Sequence, residues 1–408
     1  MSFRIRQVRA RQVLDSRGNP TVAVEAVLEG GLRATAMVPS GASTGAHEAL
    51  ELRDGGTASY GGRSVLRAVA NVNTKLAAAV TGLDSRDQQA LDRRLIELDP
   101  TPNKGRLGAN ALLGVSMAVA RAAASAQGLP LWRHLAGERR PVVPLPMINI
   151  LSGGLHAGRN LEVQDFLVVP HGFPTMSGKL EAAVAIHRAA EGLIRAAGGV
   201  LTGVADEGGW GPLLESDWAA LELLHRAIAA ARFEPGRQVS IALDVAATHF
   251  RQPPSAEGMS EMLQDWLARY PIVSVEDPLP EDDWDGWRLL TRRLGSRCRL
   301  VGDDLFATNP GRLERGIREG VANAVLVKMN QIGTLTETFQ VIDRARQAGY
   351  EAVISARSGE TEDSFLADLA VASGAGHIKV GSITRSERLA KYNRLLAIEE
   401  WEAAAAGA

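Results

Sequence analysis

Residues 270–304 read YPIVSVEDPLPEDDWDGWRLLTRRLGSRCRLVGDD. A short apolar run, Ile272–Val275, ends in Glu276 and Asp277. Helix-period sequence follows, and a second apolar run, Arg299–Gly302, ends in Asp303 and Asp304. This is one strand-plus-helix unit, and it recurs on both sides. Upstream stand the runs Pro144–Leu151, Leu161–Pro170 and Val239–Ala246; downstream stand Ala324–Val327, Glu351–Ser355 and His377–Gly381. Eight such runs separated by helical sequence predict an α/β fold, a closed (β/α)8 barrel of the TIM type. A doubly wound sheet alternates in the same way, so the periodicity leaves that architecture open. The intervening helices carry ordinary signals. Thr334 and Glu337 read as a capping box, followed by the apolar stripe Leu335, Phe339, Ile342 and Ala345, with Gly349 as the stop. Asn309-Pro310 reads as a helix start.

The charges fall at the ends of the strands. Asp244 closes Ile241–Leu243, Glu276 closes Ile272–Val275, and Asp303 closes Leu300–Gly302. In a barrel, three carboxylates at the same end of consecutive strands converge, and hard oxygens of this kind suit Mg²⁺. Singly, each would pass for a helix N-cap or turn residue. Lys328 closes Ala324–Val327 and Lys379 lies inside His377–Gly381. Near metal ions, a buried strand-end lysine with a lowered pKa can act as a base; a salt bridge to a neighbouring carboxylate is the alternative. The loop Pro39–Gly45 is rich in glycine and serine and reads as a lid or a plain connection. Arg357 and Ser358 follow a strand and suit a phosphate, or equally a surface ion pair.

The chain before the barrel reads as α+β. Strand character covers Phe3–Gln12, Thr21–Leu28 and Leu32–Val38, with a turn at Asp15–Pro20; helices are expected over 63–80 and 109–127. The boundary is placed so that 1–137 form a lid domain and 138–408 the barrel, with Glu138–Val143 as the linker. Only the tail WEAAAAGA reads as frayed. A net charge of −2 over 408 residues gives no reason to expect nucleic acid or a membrane surface as partner. The single cysteine, Cys298, allows no intrachain disulfide, which fits a cytoplasmic setting.

Longer motifs carry a resemblance. DSRGNPTV (15–22), PSGASTG (39–45), HEALELRDG (47–55), LGANALLGVS (107–116), DEGG (206–209), YPIVSVED (270–277), GDDL (302–305), NQIGTLTET (330–338), RSGETED (357–363) and RSERLAKYN (385–393) together resemble the enolase family over nearly the whole chain. The resemblance implies a modified barrel with an N-terminal α+β lid domain, usually a homodimer or higher homo-oligomer. It also implies a small phosphorylated carboxylic acid as substrate and two Mg²⁺ per site, the second arriving with substrate. By the same resemblance Asp244, Glu276 and Asp303 look like ligands of the first ion and Ser43 like a ligand of the second. Lys328 looks like the base that removes the α-proton and Glu207 like the acid on the leaving-group side. Lys379, Arg357, Ser358 and His156 look like substrate contacts, with Gln164 beside them.

Two positions depart from the family pattern. Where enolases have Gln-Glu-Phe, this chain has Gln164-Asp165-Phe166, which withdraws a supporting carboxylate by about 1.5 Å. Where enolases have His, it has Ala356 before Arg357. A shift of ~1 Å at a catalytic group can cost ~10²-fold. The resulting expectation is a specialised paralogue that retains the enolisation chemistry and forms an enolpyruvyl product. The alternatives are a housekeeping enolase that makes phosphoenolpyruvate, a relative similar to the carboxyphosphonoenolpyruvate synthases of phosphonate biosynthesis, and a catalytically weak relative used for binding.

Overall fold

The computed structural model describes residues 2–41, 46–57 and 59–407. Ser43 therefore lies outside the described residues. The chain opens with an antiparallel meander of β1 (Ile5–Leu14), β2 (Pro20–Leu28) and β3 (Arg33–Met37). The β1–β2 turn is built by Asp15, whose Oδ1 accepts the backbone N–H groups of Arg17 and Asn19 (2.9 and 2.8 Å). Gly18 supplies the left-handed residue that the turn requires (φ 71°).

The central strand β2 is almost wholly buried beneath the helix Ala109–Ala126. That helix has the length and mean hydropathy (1.2) of a membrane span, but 83% of it is buried in this domain, as befits a core helix. Small residues let it lie close to the sheet: a Cβ on Gly114 would come within 2.6 Å of Val24. The expected helix over 63–80 is interrupted. Leu66–Asn71 and Ala77–Val80 flank a π-helical turn, Val72–Leu76. From that turn Asn73 pairs with the free edge of β1, accepting from Ala10 N–H (2.7 Å) and donating to Ala10 C=O (3.1 Å). One side chain thus takes the place of a neighbouring strand.

The barrel closes in the order β10-β11-β4-β5-β6-β7-β8-β9. Its strands are β4 (Leu145–Ser152), β5 (Asp165–Val169), β6 (Ser240–Asp244), β7 (Ile272–Glu276), β8 (Arg299–Gly302), β9 (Ala324–Val327), β10 (Glu351–Ser355) and β11 (His377–Gly381). Side chains such as Leu167, Val301 and Leu326 fill its interior. The second strand is shorter than the expected Leu161–Pro170, because 161–164 form a turn. More consequentially, β5 runs antiparallel to both neighbours. The short β4–β5 connection folds the chain back as a hairpin. Two helices, Met176–Ala196 and Asp217–Ala230, then go up and down and return it to the start of β6. This inversion brings the first residue of β5, Asp165, to the end where the other strands finish. The turn between the two helices comes to that same end and carries Glu207.

The capping box at Thr334 forms only by half. Thr334 Oγ1 accepts Glu337 N–H (3.3 Å), but the Glu337 carboxylate binds the Thr334 hydroxyl (2.7 Å) and Lys104 Nζ (2.8 Å), and so ties this helix to the N-terminal domain. The tail is helical rather than frayed: Ser386–Gly407 is one helix. Trp401 packs edge-on against Trp132 (centroids 5.4 Å apart), which gives the last turns an apolar anchor.

Asp92 joins the two parts without a cation. Fully buried, it accepts Thr336 N–H (2.9 Å), the Thr336 hydroxyl (2.6 Å) and Gln88 Nε2 (3.0 Å). Burial pushes its pKa from the ordinary 3.8 up to about 6, against the pull of these hydrogen bonds. The folded protein therefore holds this proton more tightly than the unfolded chain does. Ionised Asp92 costs stability above about pH 6, and the cost fades as pH falls towards 4. Asp92→Asn keeps the acceptor for Thr336. Its amide can also donate to Gln88 Oε1, which has no partner among the described residues. The variant should match or exceed the parent in urea-unfolding stability at pH 7.5, by up to about 3 kcal/mol. That difference should shrink on acidification.

Candidate active site

The strand ends of the barrel surround a cavity of about 280 Å³, which Arg17 and Glu48 of the N-terminal segment help to close. Its lining holds seven carboxylates against four lysine or arginine side chains, together with His156 and His249. The cross-strand register explains part of this convergence: Asp165, Asp244 and Glu276 are opposite one another on β5, β6 and β7. The backbone turns sharply after two of these strands. Ala246 and Asp277 both have positive φ (50° and 40°), an unfavourable conformation for residues with a Cβ and one that concentrates at functional sites.

The expected ligand set is divided between two lysines. Lys379 Nζ bridges Asp244 Oδ2 (2.7 Å) and both oxygens of Glu276 (2.8 and 2.7 Å). Lys328 Nζ is bonded to Asp303 Oδ2. Burial opposes both ammonium charges, but the carboxylates prevail. Asp244 and Glu276 hold Lys379 well above the ordinary lysine pKa, and Asp303 holds Lys328 above it. The lowered pKa expected for Lys328 is thus absent here, because a carboxylate is its nearest partner. Burial and the nearby Asp244 push Glu276 well up.

Asp303 Oδ1 is buried with no partner among the described residues. Asp277, Asp303 and Asp304 bring carboxylate oxygens within 4.8 Å of one another. The Asp277 carboxylate accepts the N–H groups of Asp303 and Asp304 (2.9 and 2.7 Å), which fixes the turn that presents Asp303. Hard oxygens, an unused lone pair and surplus negative charge fit Mg²⁺.

On the opposite wall, His156 Nδ1 is 2.9 Å from Asp165 Oδ2, and its Nε2 is 4.0 Å from Glu207 Oε1. Asp165 lies beneath the cavity wall, fully buried, and its other oxygen accepts from Asn149 Nδ2 (2.5 Å) and Ser152 Oγ (3.0 Å). Burial disfavours the imidazolium, but Asp165 and Glu207 raise His156 to about 9. Glu207 is buried too, yet Arg388, His156 and Lys379 keep it below the ordinary glutamate value. Gln164 donates from Nε2 to Asp244 Oδ2 (3.2 Å).

At the far end, Arg357 is held by Glu48 in a two-pronged pair (2.9 and 3.3 Å) and by Asn330 Oδ1 (3.1 Å). Ser358 Oγ accepts from Arg17 Nη1 (3.3 Å). Ala356 lines the cavity between the strand end and Arg357. Arg388, fully buried, donates to the carbonyls of Arg357, Val380 and Ser358 and so clamps this loop. The sequence reading gave no role to Glu48, Arg388, Arg17 or His249. The first three lie in the quoted motifs HEALELRDG, RSERLAKYN and DSRGNPTV, where their charges were the available signal. His249 stands alone after β6 with none.

A closed barrel with carboxylates and lysines in a cavity at one rim, covered by a small α+β domain, has the architecture of the barrel enzymes that carry their sites at the strand ends. Residues 5–135 match the family model "Enolase, N-terminal domain", and residues 140–254 and 251–407 match "Enolase, C-terminal TIM barrel domain". The chain belongs to the enolase family, whose domains mark an enolase-type enzyme.

Proposed function

We propose that this cavity removes the α-proton of a small phosphorylated carboxylic acid resembling 2-phosphoglycerate and forms an enolpyruvyl product. The observation that carries this reading is the convergence of Lys328 and Arg357, which follow β9 and β10, and Lys379, from within β11, on one cavity rich in carboxylates. Lys328 is the base. Arg357, Ser358 and Arg17 offer donors for a phosphate, and Lys379 a cation for the substrate carboxylate. Asp244, Glu276 and Asp303 would hold Mg²⁺, with Ser43 proposed for a second ion. When bound, the metal would supply positive charge that stabilises the doubly charged enediolate. The protein itself orients the acid, excludes water beneath the N-terminal domain and holds protons at Lys328 Nζ and on the His156–Glu207 wall. The two-domain division at residue 137 and a homodimer belong to this proposal.

The test is turnover of 2-phosphoglycerate with Mg²⁺, followed as phosphoenolpyruvate. Rapid turnover identifies a housekeeping enolase. Slow turnover with α-hydrogen exchange into solvent identifies a specialised paralogue that accepts another co-substrate, such as a phosphonate. Ala356 favours the second result, because it leaves space beside Arg357 where the family has an imidazole. Ala356→His should then raise phosphoenolpyruvate formation at least about tenfold, as a restored polar stabiliser in a dry site would. An unchanged rate in steady-state assays would remove Ala356 as the cause.

A further inference from the structure

Outside the cavity, a second set of metal-ligand side chains meets where the N-terminal segment touches the barrel. His47, Glu281 and Asp282 each bring one ligand atom within 4.8 Å of the other two, and His47 Nε2 lies 3.7 Å from Asp282 Oδ1. None of the three lines the cavity. His47 directly precedes Glu48, the partner of Arg357, whereas Glu281 and Asp282 belong to the loop that leaves β7. That loop is fixed by its surroundings. Asp283 caps the helix Trp284–Leu294 by accepting Gly286 N–H (2.9 Å), and Arg312 donates to the Glu281 carbonyl (2.6 Å) and to Asp282 Oδ1 (3.2 Å). On the other side Asn309 Nδ2 donates to the His47 carbonyl (3.4 Å). The ligand atoms themselves are uncommitted. Among the described residues no hydrogen bond engages the His47 ring, the Glu281 carboxylate or Asp282 Oδ2.

A His47–Asp282 ion pair needs one carboxylate, and Arg312 already shares that one. The second carboxylate beside the same imidazole is what a plain ion pair does not account for. One imidazole nitrogen and two carboxylates make three ligands of a site that water can complete. The strand-end set Asp244, Glu276 and Asp303 offers oxygens alone, which suit Mg²⁺; a nitrogen donor moves the preference to Zn²⁺ and its neighbours. Zinc bonds of about 2.0–2.2 Å place tetrahedral donors about 3.4 Å apart. Spans of 3.7 to 4.8 Å close to that distance by small rotations of these partly exposed side chains. We propose that His47, Glu281 and Asp282 form a site for a borderline divalent cation, Zn²⁺ or Co²⁺, separate from the cavity, in which the ion bridges the N-terminal segment to the barrel. The site would bind its ion whatever reaction the cavity performs.

The experiment titrates Zn²⁺ into the full chain with Mg²⁺ in large excess, measuring bound zinc by equilibrium dialysis and stability by thermal melts. The parent should bind one zinc more than either His47→Gln or Glu281→Gln. Losing one ligand should weaken this binding at least about tenfold, the lower end of what an outer-shell partner of a metal contributes. Zinc should raise the melting temperature of the parent more than that of either variant, because the ion joins two segments only in the parent. Zinc-free melts of the three proteins should coincide, which separates a lost ligand from a lost fold. Equal zinc stoichiometry and equal melting gains in the parent and both variants would overturn the site and assign the bound zinc to the cavity carboxylates. A parent that retains no zinc against excess Mg²⁺ would overturn it as well.

Discussion

Lys328→Ala should lose α-hydrogen exchange and product formation together, by about 10³-fold or more, with far-UV circular dichroism unchanged. Lys328 closes β9, its N–H donates to Thr308 Oγ1 (3.0 Å), and its Nζ is tethered to Asp303, so the amine occupies one place. A base that removes the α-proton acts before every later step, and no reaction downstream can hide its loss. The informative partner is Lys328→Arg. A guanidinium keeps the charge and can keep the bond to Asp303, but it does not give up its proton in proteins. If the lysine serves as a base, the arginine variant should be as inactive as the alanine variant. If it serves only as a fixed positive charge, the arginine variant should retain most of the rate. Quenched-flow or NMR measurement of exchange separates these outcomes even when no product forms.

Much of the barrel was legible because its strands are short apolar runs with abrupt charged ends. The bounds of β8, β9, β10 and β11 agree with the sequence reading residue for residue, and β7 runs one residue further to include Glu276. The strand-end acids and lysines were readable for the same reason: a charge that follows a buried run stands at the rim. What was not legible was direction. An apolar run reads the same whichever way its strand points, so the reversal of β5 was hidden, and with it the place of Asp165 beneath His156. Contacts between distant segments were hidden as well. The pairing of Glu48 with Arg357 joins the N-terminal segment to the end of β10, and neither residue's surroundings name the other. The π-helical turn at Val72–Leu76 follows from the pairing of Asn73 with an edge strand, again a relation across space. Protonation was the least legible property. The charge state of Glu207 depends on Arg388, Lys379 and His156, which arrive from three other parts of the chain.

Lys379→Met should produce the largest loss of stability, and the loss should depend on Mg²⁺. Lys379 is buried and satisfies Asp244 and Glu276 at once. Removing one partner of a buried ion pair costs about 3–5 kcal/mol, because the remaining charge is left unpaired. Here two carboxylates on adjacent strands would be left facing each other. Methionine matches the length of the lysine stem, so packing changes little and the cost is electrostatic. Without Lys379 the folded pKa of Asp244 should rise above its unfolded value, and that of Glu276, already raised, should rise further. The loss should then be largest at neutral pH and shrink as pH falls and the pair takes up a proton. In EDTA the variant should melt well below the parent, whereas saturating Mg²⁺ should stabilise the variant more than the parent, since a divalent cation neutralises the same two oxygen groups. Thermal melts of both proteins over a Mg²⁺ series decide the point. Equal gains in parent and variant would mean that Asp244 and Glu276 do not share the ion, and would move the metal to the Asp277–Asp303–Asp304 side of the cavity.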